Sequence, residues 1–108
     1  MKVDPALLKP GMVVVWDYNL RLYVFKEFNG EEASIETWFD KQDEDLVGMR
    51  WWNIPFSELW WPVCRCCRSD LVGEAAIPKP DPYADEIHND ETPVLQCDHC
   101  AEESARDI

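Results

Sequence analysis

The stretch LRLYVFKEFNGEEASIETWF, Leu20 to Phe39, places two segments of alternating apolar and polar residues on either side of Asn29-Gly30. Asn-Gly is a strong hairpin signal, because the central residues of a tight type I′ turn need positive φ, which these two side chains tolerate. With Asn29 and Gly30 as the loop, Phe28 lies opposite Glu31, Val24 faces Ile35, Leu22 faces Thr37 and Leu20 faces Phe39. Side chains alternate along a strand, so this register predicts Leu20, Leu22, Val24, Ile35, Thr37 and Phe39 on the inward face. The opposite face takes Phe25 with Ser34, Tyr23 with Glu36, and Arg21 with Trp38 as a cation–π pair. Glu27 then meets Glu32, a like-charge pair tolerable only near an exposed turn.

Upstream of the hairpin, MVVVW (Met12 to Trp16) follows a Pro-Gly turn and reads as a buried strand. Downstream, DKQDEDLVG (Asp40 to Gly48) reads as an acidic loop and MRWWNI as a strand stopped by Pro55. PFSEL then makes one helical turn, and WWPV forms a last short strand. The segments PGMVV, ETWFD and FSELWWP resemble a small bacterial SH3-like barrel family. The resemblance implies a mainly β fold, with residues 1–62 forming a small SH3-like barrel.

Past Val72 the composition shifts. GEAAIPKPDPYADEIHNDETP, Gly73 to Pro93, is rich in proline and acid, has no sustained period, and reads as a long surface loop. All five cysteines flank it, in VCRCCRSD (Val63 to Asp70) and LQCDHC (Leu95 to Cys100). Cys64 with Cys67, and Cys97 with Cys100, form two C-x-x-C pairs, together the four thiolates that a tetrahedral structural zinc takes. The predicted metal ligands are therefore Cys64, Cys67, Cys97 and Cys100. Zn2+ is the predicted structural cofactor, closing the loop at its base, and residues 63–108 form a second, zinc-binding module. Residues 63–101 resemble a zinc ribbon, with 29 residues between Cys67 and Cys97 and without the glycine that often follows the second cysteine of such a turn. Cys66 reads as a neighbour pointing away from the metal. His99 reads as an outward ring that would bind metal only in place of a cysteine, and His88 as a solvated loop histidine. Four thiolates and one divalent ion leave a local excess of two negative charges, which Arg65 and Arg68 are placed to offset.

The 108 residues include 22 acidic and 10 basic side chains, a net charge of -12 that disfavours nucleic acid as a direct ligand. No apolar run approaches the length of a membrane span or of a signal-peptide core, so the cytoplasm is the expected compartment and no membrane the expected partner. Clustered cysteines there argue for metal before disulfides. Trp51-Trp52 and Trp60-Trp61 are adjacent pairs, and strand alternation sends the rings of each pair to opposite faces. The outer rings either lie under the zinc module or form an exposed aromatic patch for a protein partner. No Ser-His-Asp set, phosphate-cradling glycine loop, HExxH or paired buried carboxylates can be assembled, and a closed four-cysteine site offers no open coordination position. No enzyme is expected. The leading expectation is a small acidic zinc-stabilised protein–protein interaction protein, in its most specific form a phage-type modulator or inhibitor of a nucleic-acid-handling complex. The alternatives are a zinc-ribbon nucleic-acid-binding or transcription-associated protein using Arg65, Arg68 and tryptophan stacking, and a thiol enzyme using Cys66.

Overall fold

The computed structural model describes residues 1–38, 49–90 and 92–106; Phe39, with its predicted pairing to Leu20, and the acidic stretch 40–48 lie outside them. Strands β1 (Val13–Trp16), β2 (Arg21–Asn29), β3 (Glu32–Thr37), β4 (Arg50–Pro55) and β5 (Leu59–Trp60) form one antiparallel sheet in the order β4-β3-β2-β1-β5. The 3-10 turn Phe56–Glu58 follows Pro55 and leads into β5. β4 and β5 are opposite edges of this sheet, so the fold is mainly β but the strands do not close into a barrel. Lys2 makes a bridge to Trp60 on the outer side of β5, while β4 is interrupted by Asn53 at φ 60 and stops at Pro55.

The hairpin forms where Asn-Gly predicts it, with a different register. Asn29 pairs with Glu32, which leaves Gly30 and Glu31 as the loop. Gly30 has φ 66 and Glu31 does not share the positive φ, the pattern of a turn whose first central residue is glycine. Moving the loop by one residue shifts the pairing by two and preserves the faces. A bulge between Phe25 and Glu27 then takes one residue back, and the net odd slip exchanges them. Ile35 therefore lies opposite Phe25 and Val24 opposite Glu36. Tyr23, Phe25 and Ile35 are buried, Leu22, Val24 and Thr37 are half-buried, and Leu20 is exposed in the turn before β2 at φ 56. Glu27 sits across from Ser34 rather than Glu32, and pairs with Arg50 at 3.0 Å.

Trp16, Tyr23 and Trp51 pack edge-on against one another, with ring centroids 5.2 to 5.8 Å apart. The buried cluster continues from these strands through Leu59 and Trp61 to Cys64, Leu71, Ala76, Leu95 and Cys100. The segment read as a long loop is instead ordered into short elements. It holds the 3-10 turn Gly73–Ala76, strands β6 (Lys79–Pro80) and β7 (Pro93–Val94), which pair with each other, and helix α1 (Pro82–His88). α1 starts where it does because Asp81 accepts the Ala84 amide as N-cap and Pro82 has the fixed φ suited to the first turn. It ends at Asn89 in the left-handed region, φ 51. Helix α2 (Asp98–Arg106) follows and packs against α1. No helix among the described residues is long and apolar enough to cross a membrane.

Candidate metal centre

The first cysteine pair lies in a tight turn after β5. Val63 and Asp70 bridge across its base, the Cys64 amide donates to the Ser69 carbonyl at 2.9 Å, and the Arg68 amide donates back to the Cys64 carbonyl at 2.9 Å. Arg68 takes φ 60 there, the conformation that explains why glycine is common after the second cysteine of such turns. The second pair is not a matching turn. Cys97 immediately precedes α2, its carbonyl accepts from the Ala101 amide at 3.0 Å, and its sulfur accepts the Cys100 amide at 3.5 Å in the manner of an N-cap side chain. Cys100 sits in the first turn of the helix, so the two pairs are presented differently, the first by a tight turn and the second by a helix start. The Arg65 amide donates to the Leu95 carbonyl at 3.0 Å, joining the two segments directly.

The sulfurs of Cys64, Cys67, Cys97 and Cys100 all lie within 4.8 Å of one another, a group that could hold a metal ion. Cys64 and Cys100 are buried, Cys97 is half-buried and Cys67 is exposed. The Cys67 and Cys97 sulfurs approach to 3.6 Å, and Cys67 Sγ lies 2.9 Å from the Ser69 hydroxyl. Backbone amides of Cys66 and Cys97 each donate to Cys64 Sγ at 3.4 Å. Burial pushes the Cys64 thiol up, but amide donation from Cys67, Cys97 and Cys66 outweighs it and brings the pKa down to about 6. The Ser69 hydroxyl, the Ser69 amide and Cys97 lower Cys67. Cys100 moves the other way, held protonated by its place beside Cys97, by burial and by the sulfurs of Cys67 and Cys64. Four thiols sharing one small volume cannot all ionise without a cation, so the cluster sorts into charged and neutral members.

Cys66 is exposed and stands outside the cluster, with the Gln96 amide nitrogen 4.0 Å from its sulfur. His99 is exposed on α2 and pairs with Glu103 at 3.1 Å, and His88 lies in the last turn of α1 against the Tyr83 ring. Arg65 turns to Asp81, 3.7 Å away. Asp81, Ser69 and Gln96 were not singled out from the sequence. Of these, Asp81 has a legible signal, since Asp-Pro ahead of a short polar run is a helix-start pattern.

Of the tryptophans, Trp61 is 3% exposed and Trp52 53% exposed, while Trp51 and Trp60 are half-buried. The Arg50 guanidinium stacks on the Trp52 ring at 4.0 Å, donates to Ser34 Oγ at 2.7 Å and pairs with Glu27. Trp52 is thus an exposed ring backed by a fixed cation.

No family model, curated protein or solved structure matches the chain.

Proposed function

We propose that the protein is a small zinc-stabilised interaction protein that binds another protein, and not an enzyme. The four sulfurs within 4.8 Å carry the metal half of this reading. Zinc suits four thiolates in a tetrahedral structural site, and a site filled by four cysteines has no open position for substrate or water. The thiols fit a reducing compartment, here the cytoplasm. The strand order, with a 3-10 turn before the last strand, is what supports the SH3-like reading of the sheet.

The binding half rests on Trp52. An exposed indole that is already held in place loses little freedom on docking, which is how interface anchors gain affinity. The net charge of -12 favours a basic protein surface over a phosphate backbone, and makes an acidic modulator of a nucleic-acid-handling complex the most specific form of the proposal. Arg65 is engaged with Asp81, so its charge is already met by a carboxylate, which weighs against a phosphate contact.

Two measurements test the reading. Elemental analysis of protein purified without added metal should give one zinc per chain; free thiols with little zinc would refute the site. Trp52→Ala forfeits the Arg50 stack, about 0.5–1 kcal/mol, so the fold and zinc content should survive. Loss of a central interface anchor costs about 2 kcal/mol or more, about 30-fold in affinity, so the partner retained by the wild type in a pull-down should be lost by the variant. Nanomolar, salt-sensitive binding to nucleic acid that disappears in Arg65→Ala/Arg68→Ala would overturn the protein-binding reading.

A further inference from the structure

One carboxylate lies outside both cysteine pairs and yet reaches the neighbours of both. Asp81 is 7% exposed, and its Oδ2 caps α1 through the Ala84 amide at 3.4 Å and lies 3.7 Å from Arg65 Nη2. The Ser104 hydroxyl and the Gln96 side chain stand close enough to the same carboxylate to favour its charged form, while its Oδ1 is buried without a hydrogen-bond partner. The positions of these neighbours are what matter. Arg65 follows Cys64, Gln96 precedes Cys97, and Ser104 lies one helical turn past Cys100 on α2.

Burying a carboxylate is unfavourable unless it is paired, and more so near four sulfurs that become thiolates around one divalent ion. Capping α1 does not require the charge, because a neutral asparagine caps about as well. The charge is used instead by the donors of Ser104 and Gln96 and by the Arg65 guanidinium. We propose that Asp81 is a positioning residue of the metal centre: by gathering Arg65, Gln96 and Ser104 around one carboxylate, it sets the spacing between the first cysteine turn and the start of α2. This role rests on the four cysteines being a metal site.

The test uses full-length wild type, Asp81→Asn, Arg65→Gln and the double variant. Zinc affinity is read by chelator competition, and ligand geometry by the absorption of the Co2+ form. Asp81→Asn keeps the cap and removes the charge; Arg65→Gln leaves Asp81 in place and serves if the first variant folds poorly. Each single change should weaken zinc by about tenfold, the usual scale for a residue that orients metal ligands. The double variant should be no weaker than the weaker single, and the Co2+ thiolate bands should stay in position. Unchanged zinc affinity in both singles, or losses that add in the double, overturns the positioning role. A wild type that shows no Co2+ thiolate bands overturns the metal site itself, and the role with it.

Discussion

The metal-free protein should carry a charged sulfur at Cys64 at neutral pH, and the effect is large enough to measure. Donation from three amides lowers this thiol from 9.0 to about 6 despite its burial. At pH 7 a thiol of pKa 9.0 is about one-hundredth ionised, whereas one at about 6 is about nine-tenths ionised. A pKa lower in the folded than in the unfolded chain adds stability that is full above 9.0 and is lost as pH falls through about 6. Cys100 has the opposite sign: its raised pKa favours the folded state below 9.0 and costs stability only above it. The metal-free form should therefore gain stability from pH 6 to 9 and level off or decline beyond. Cysteine 13Cβ shifts followed against pH, with chelator and reductant present, resolve each thiol, and denaturant midpoints over the same range give the stability. Cys64 titrating near 9.0, or a stability flat between pH 6 and 9, would refute the argument.

Gly30→Ala should lower stability by about 1 kcal/mol in denaturant unfolding, because φ 66 strains any L side chain there even though no atom lies near enough to clash. In the zinc-loaded protein, mass spectrometry after brief alkylation should find Cys66 modified first; after chelation Cys67 and Cys97 should follow, with Cys64 and Cys100 last because burial keeps the reagent from them, even from the charged Cys64 sulfur.

Both cysteine pairs and the positions of the first four sheet strands were legible because each is signalled locally, by spacing, by β-branched and aromatic runs, and by Pro and Gly breaks, whereas the last strand falls on Leu59–Trp60 and shares only Trp60 with the WWPV segment. Register was not. Asn29-Gly30 marks a turn but does not say which two residues form it, and nothing in Phe25-Lys26-Glu27 announces a bulge. The loop displacement alone would have kept the faces; the bulge moved Tyr23 and Phe25 into the core in place of Leu22 and Val24. α1 was hidden by its seven residues and acidic surface, which leave no apolar period to detect, although Asp81-Pro82 marked its start. At the metal centre the four sulfurs could be foreseen from sequence, whereas the unequal setting of the two pairs could not. It depends on α2, which packs against α1, itself not foreseen, and which buries Cys100.

The two borders of the five-stranded sheet bear on how the protein behaves at high concentration. An open strand edge invites pairing with a second molecule and, from there, fibrous assembly. Here Lys2 crosses the outer side of β5, and on β4 the left-handed Asn53 and terminal Pro55 break the regular run of donors and acceptors that a docking strand would need. A small protein that exposes a tryptophan on this sheet has thereby restricted backbone pairing on both sides, so contacts through that face must be made by side chains, where selectivity between partners is built.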